Sequence, residues 1–209
     1  MSLRVFDTLD FSDKITINKK IPSFKKIELD VDVAALLKDY NNFCTEARFN
    51  APEKSWFATF GVDITSAKED LNKINFLKGY RQWQMTTKQP DVPWQTFLGD
   101  IGDSTKTLFN NELVGFHRPR YIEASSGWNT NQHIDWNNNK KLGLRFHLIL
   151  ETNDECKHFI TGEDGTEYHL HFQPGELWFY NIELKHRAEN LGTTVRKSIT
   201  FELFNDDLL

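Results

Sequence analysis

The chain has 209 residues, enough for a single domain with a substantial core, and its span of 1–209 is read as one unit. Its 25 Lys and Arg against 30 Asp and Glu leave a formal net charge of −5 with both signs interspersed, which argues against an electrostatic hold on nucleic acid or an anionic membrane surface. Cys44 and Cys156 are the only cysteines and no signal-peptide pattern precedes them, so a reduced, cytoplasmic protein is expected; the apolar runs are far too short to span a bilayer.

In chain order, Lys14–Asn18 alternates as a strand does. From Val31 to Phe43, apolar residues at Val33, Leu36, Leu37 and Tyr40 form a helical stripe, with Asp30 or Asp32 placed to cap its start. Trp56–Val62 reads as a strand, Pro90–Pro93 as a turn, and Thr96–Val114 as one or two helices broken near Gly99 and Gly102. Residues 1–115 are thus expected to be a mixed α/β region that supports a core formed by residues 116–209.

Beyond residue 115 the texture changes to short strands. These are Arg120–Ala124, Leu142–Glu151, Lys157–Thr161, Tyr168–Phe172, Glu176–Ile182 and Thr194–Phe204, separated by polar or glycine-bearing turns. With seventeen Phe, six Trp and five Tyr, this spacing predicts a mainly β fold with flanking helices, built as a sandwich or barrel. In 144–148, Arg145 and His147 share one strand face and the apolar residues share the other. Arg196, Ser198 and Thr200 repeat that partition, which predicts a cationic lining suited to an anion, with helices over the apolar outer face.

One constellation carries chemistry. His133 and Asp135 lie two apart, so on an extended segment they project to the same side, and His186 supplies a second imidazole from elsewhere. Two imidazoles and one carboxylate hold non-haem Fe(II) on one face and leave positions open. Arg196 follows ten residues after His186, and its planar fork suits a carboxylate. Iron beside a carboxylate anchor is what a 2-oxoglutarate-using oxygenase needs.

The stretch from about Tyr121 to Phe204 resembles the Fe(II)/2-oxoglutarate-dependent oxygenases with a double-stranded β-helix (jelly-roll, cupin-like) core. Within them it is most similar to the aspartyl/asparaginyl β-hydroxylase group, which includes free-proline hydroxylases. The resemblance is carried by His133-Ile134-Asp135, Arg145-Phe146-His147-Leu148, Pro174-Gly175-Glu176-Leu177-Trp178 with Asn181, His186-Arg187-Ala188-Glu189-Asn190, and Arg196-Lys197-Ser198, in that order. It implies that His133, Asp135 and His186 bind Fe(II), with 2-oxoglutarate and O2 taking the open positions. Arg196, helped by Ser198, would pair with the distal carboxylate, and Arg145 and His147 would also reach the co-substrate. The implied reaction is hydroxylation of an amino acid or amino-acid side chain, Asp/Asn or Pro in type and free or within a peptide, with 2-oxoglutarate leaving as succinate.

Each assignment has a plainer competitor. His117, His158, His169 and His171 are expected to be satisfied core or surface residues, and Arg145 could make a structural ion pair. Trp128, Asn129 and Trp178 are candidates for lining a substrate pocket, although tryptophans of this kind also serve as packing. Asn129 and Asn131 are expected in solvated turns, and 128–140 or 88–93 could form a lid. A cupin-like protein that binds a metal or small acid without turnover, or a Zn(II) hydrolase using the same triad, remains open on the residues alone.

Overall fold

The computed structural model describes residues 24–49, 80–84, 101–113, 117–135, 143–162, 164–182 and 184–204. The expected strands Lys14–Asn18 and Trp56–Val62 and the segment 88–93 lie outside these residues. Two helices and ten strands are described: β1 (Phe24–Ile27), α1 (Val33–Phe49), β2 (Tyr80–Gln84), α2 (Asp103–Asn111), β3 (His117–Ala124), β4 (Trp128–Asn129), β5 (Gly143–Glu151), β6 (Cys156–Thr161), β7 (Glu167–Leu170), β8 (Leu177–Tyr180), β9 (Lys185–Asn190) and β10 (Arg196–Phe204).

The strands form two antiparallel sheets. The larger runs β1-β8-β5-β10-β3-β2 and the smaller runs β4-β9-β6-β7. Strands consecutive in sequence repeatedly land in opposite sheets, as in a jelly roll; β8, β9 and β10 alternate between the two. The smaller sheet closes over the inner face of the larger one, and the two meet through Arg196 of β10 and His158 of β6.

Strand alternation divides β10 between two environments. Ile199 and Phe201 face outward into the main core, and Arg196, Ser198, Thr200 and Glu202 face inward; all six are buried. β5 does the same, with Phe146, Leu148 and Leu150 outward and Arg145 and His147 inward. The outer layer is stapled by aromatic contacts: Phe146 stacks on Phe201 at 5.4 Å, and Phe109 of α2 meets Phe201 edge-on at 5.6 Å. Each such ring, fully withdrawn from water, contributes about 1.5–3 kcal/mol.

α1 and α2 cover that outer face through Leu36, Tyr40, Phe43, Leu108 and Phe109, as the stripe in the sequence predicts. Asp32 caps α1, its Oδ1 accepting from Ala35 N at 3.0 Å. The cap of α2 comes from outside the helix: Asp39 of α1 accepts from Thr105 N at 2.9 Å. Gly102, at φ 91°, clears the room, since a Cβ there would lie 2.1 Å from Asp39 Cγ. The two helices are therefore locked by a cap that neither carries alone.

Four elements depart from the sequence reading. β1 and β2, from the first half, extend the jelly-roll sheet at both edges instead of only supporting it. Residues 185–190 form β9, where alternation is masked because the inward His186 and Asn190 are polar, as are the outward Arg187 and Glu189, which form an ion pair of 2.7 Å. Trp128 and Asn129 form β4 against Asn190 and Glu189, with Trp128 buried, so the front of segment 128–140 is sheet and not lid.

Candidate metal centre

His133 lies just beyond β4, and an isolated antiparallel bridge ties it to His186 of β9. The bridge is reciprocal: His133 N donates to His186 O at 2.9 Å and His186 N donates to His133 O at 2.8 Å. Each ring then donates from Nδ1 to the carbonyl two residues earlier, His133 to Asn131 at 2.7 Å and His186 to Leu184 at 2.9 Å. Both tautomers are fixed with the Nε2 lone pair outward, the usual support of a metal-binding imidazole.

Asp135 completes the group. Its carboxylate oxygens lie 3.4 Å from His133 Nε2 and 3.9 Å from His186 Nε2, and one ligand atom from each residue falls within 4.8 Å of the others. Atoms each about 2.0–2.2 Å from a common ion stand about 3–4 Å apart, so the donor set fits one small divalent cation. Burial opposes the charge on Asp135. Arg145 beside it and the hydrogen bond with His133 outweigh that and hold its carboxyl well below the usual carboxylate range. The same hydrogen bond raises His133, against burial, whereas burial pushes His186 down to about 4.

Arg145 forms an ion pair with Asp135. Its Nη2 also donates to Glu202 Oε1 at 2.9 Å, and Arg120 Nη2 donates to the same oxygen at 2.7 Å. A chain of alternating charge thus runs from β3 through β10 and β5 to the metal centre. Nothing in the sequence marked Arg120 or Glu202, because their meaning lies in cross-strand pairing between distant segments.

Further along the inner face of β10 the lining is polar and buried. Arg196 is 2 % exposed, with Ser198 and Thr200 at 0 %. Arg196 Nη1 lies 2.7 Å from His158 Nε2, and the Trp128 ring sits 5.6 Å from its guanidinium carbon. His147 Nδ1 and Nε2, His158 Nδ1, Ser198 Oγ and Thr200 Oγ1 have no hydrogen-bond partner among the described residues. Polar atoms left unmet inside a fold mark a place where something polar belongs. Burial and then Arg196 keep His147 and His158 far below the ordinary histidine range, so both rings are neutral.

The structure therefore gathers His133, Asp135 and His186 at one point, Arg145 beside them, and Arg196, Ser198 and His147 in the interior. It places the tryptophans apart. Trp128 is a wall behind Arg196, whereas Trp178 stacks on Phe172 at 4.8 Å and donates Nε1 to Glu176 at 2.8 Å. Asn129 is exposed on β4. His158, expected as a satisfied bystander, is in contact with Arg196; only the pairing of the two sheets reveals it.

No family model matches this sequence, and no curated protein matches it. Solved structures do. A prolyl hydroxylase in complex with a hypoxia inducible factor oxygen degradation domain peptide fragment, from Trichoplax adhaerens, aligns with TM-score 0.55 at 12 % identity, over 92 % of this chain and 87 % of that one. A 2OG-Fe(II) oxygenase family oxidoreductase from Burkholderia pseudomallei aligns with TM-score 0.48 at 12 % identity, over 79 % and 89 %. A Pseudomonas putida prolyl-4-hydroxylase aligns with TM-score 0.37 at 16 % identity, over 46 % and 56 %. The fold is a jelly roll with flanking helices, shared with the first of these over nearly its whole length.

Proposed function

We propose that the chain is an Fe(II)/2-oxoglutarate-dependent dioxygenase, a single domain over residues 1–209. Its substrate would be an amino acid or amino-acid side chain, of the Asp/Asn or Pro type, free or in a short peptide. An unactivated C–H bond would be hydroxylated as 2-oxoglutarate is decarboxylated to succinate. The observation that carries this reading is the convergence of His133 Nε2, His186 Nε2 and the Asp135 carboxylate in front of an interior lined by Arg196, Ser198 and unmet neutral donors.

When bound, iron with its keto-acid partner supplies O2 activation and the oxidising equivalents. The protein's residues supply everything else. The carbonyls of Asn131 and Leu184 hold the two imidazoles in the tautomer that offers Nε2, and Arg145 keeps Asp135 ionised. Arg196 and Ser198 would hold a distal carboxylate, with the Trp128 ring against the guanidinium. His147, neutral and buried, offers a hydrogen bond without adding charge. Among the described residues the exposed Ile134, between the ligands His133 and Asp135, borders the metal centre, where a substrate would approach.

The test is an anaerobic titration of metal-stripped protein with Fe(II) and then 2-oxoglutarate, followed by visible absorption. The charge-transfer band of a chelated keto acid is expected, and it disappears in His186→Ala. Stoichiometric metal binding without that band would replace the oxygenase by a metal-binding cupin or a hydrolytic Zn(II) site. O2 dependence of 2-oxoglutarate consumption separates the same alternatives.

A further inference from the structure

Resting on that reading for the metal centre alone, the geometry points to Arg145 as a positioning residue: it holds Asp135 to the ion through one oxygen and so keeps a coordination position open.

The Asp135 carboxylate turns one oxygen toward each imidazole. Oδ1 lies 3.4 Å from His133 Nε2, and Oδ2 lies 3.9 Å from His186 Nε2. Both oxygens therefore border the space where an ion would sit, and a carboxylate can bind a divalent cation through one oxygen or through both. The choice has a consequence. Two imidazoles and a single oxygen cover one face of an octahedron and leave three positions, whereas a chelating carboxylate leaves two. A keto acid held by two oxygens, with O2 beside it, needs all three.

The surroundings of the two oxygens differ. Arg145 Nη1 donates to Oδ2, and Arg145 Nη2 donates to Glu202 Oε1 at 2.9 Å. One guanidinium fork thus bridges the metal ligand and a carboxylate that is 2 % exposed, which Arg120 grips in turn at 2.7 Å. Anchored at that far end, Arg145 does not swing away from Asp135 when an ion enters. A guanidinium stays protonated, so a cation that shared Oδ2 would stand against a positive charge at hydrogen-bond distance. Oδ1 instead faces the His133 ring, whose Nε2 is itself a donor to the ion. Oδ1 is therefore the ligand oxygen, and Oδ2 is withheld.

The test uses Mn(II) as the probe and counts the waters bound to it by solvent proton relaxation. It compares wild type with Arg145→Met, which keeps an extended side chain without the charge. Wild type is expected to show about three metal-bound waters and Arg145→Met about two, the lost water marking the closed position. Arg145→Lys, which returns the charge, should recover the third. A merely structural role would weaken Mn(II) binding in Arg145→Met without changing the count, and that result overturns the assignment, as does a wild type with about two waters. Where Arg145→Met does not fold, wild type decides. In Zn(II)-loaded protein labelled with 15N-arginine, the Arg145 Nη1 protons should keep the slow exchange of a hydrogen bond to Asp135; their release on Zn(II) loading overturns the proposal. No keto acid enters these measurements, so a missing keto-acid absorption band removes the oxygenase reading and leaves Arg145 in place. A wild type that holds no divalent ion overturns both.

Discussion

Glu202 is the sharpest place to perturb the molecule. Its side chain is 2 % exposed and accepts from Arg120, 5 % exposed, at 2.7 Å and from Arg145 at 2.9 Å. Truncation to Ala removes the carboxylate that two inward guanidiniums share, inside a sheet where water cannot replace it. Removing one partner of a buried ion pair costs about 3–5 kcal/mol. Against a domain stability of about 5–15 kcal/mol, that is from about a fifth to the whole of the total. The surface pair Lys26–Glu176, at 2.8 Å but with Lys26 46 % exposed, is the control, because solvent and salt screen it. Urea unfolding at pH 7 should show Glu202→Ala shifted by the larger amount, Lys26→Ala barely shifted, and Glu202→Gln, which retains one acceptor oxygen, between them. Because Arg145 links Glu202 to Asp135, Fe(II) affinity should also fall about 10- to 100-fold in Glu202→Ala, the usual effect of a lost supporting contact. A Glu202→Ala protein within about 1 kcal/mol of wild type would refute the reading of Glu202 as the needed counter-charge of Arg120 and Arg145.

The other expectations are more compact. Arg196→Ala should retain stoichiometric Fe(II) and lose the keto-acid absorption band, whereas Asp135→Ala should lose succinate production coupled to hydroxylation; a fully active Asp135→Ala enzyme would remove that residue from the centre. Metal binding must displace the proton that His133 holds, so affinity should rise about tenfold per pH unit up to the raised pKa of His133 and then level off, in a metal titration between about pH 6 and 8.5. For the metal-free fold the signs oppose. His133, raised by its Asp135 hydrogen bond, contributes stability present below its unfolded value and lost as pH rises through its folded one. His147, His158 and His186, lowered by burial, contribute stability present above about 6.5 and lost on acidification. Three outweigh one, so the urea midpoint should fall between pH 7 and pH 5; a midpoint that rises would overturn the neutral assignment of the interior rings. Gly102→Ala, at φ 91° and against Asp39, should cost about 2 kcal/mol by strain and a weakened cap, seen as a lower Tm with Fe(II) affinity unchanged.

The parts legible from the sequence were those written in local periodicity. The stripe of Val33, Leu36, Leu37 and Tyr40 specified α1, and alternation in β5 and β10 identified which residues turn inward. The site was legible where two ligands share one segment, as His133 and Asp135 do. Pairing between segments was not. β9 escaped because its inward His186 and Asn190 are as polar as its outward Arg187 and Glu189, and β1 and β2 because four or five residues carry too little alternation to mark them. His158 sits 38 residues from Arg196 in the chain, and an imidazole that reads as an ordinary strand residue becomes an acceptor only when two sheets meet. Arg120, Arg145 and Glu202 are likewise ordinary charges one by one, and their shared geometry exists only after β3, β5 and β10 align.

β10 is also a partition wall. Any substitution along it is felt in two rooms at once, because neighbouring residues furnish the helical core on one side and the anion lining on the other. β7 stands at the opposite extreme, its residues 167–169 exposed at the margin of the smaller sheet. A lineage carrying this architecture can therefore redecorate its rim at little mechanical risk, whereas the apparatus behind Arg196 and Glu202 resists piecemeal revision. Changes along that margin are easy for such a molecule to absorb, and changes to the buried polar face of β10 are not.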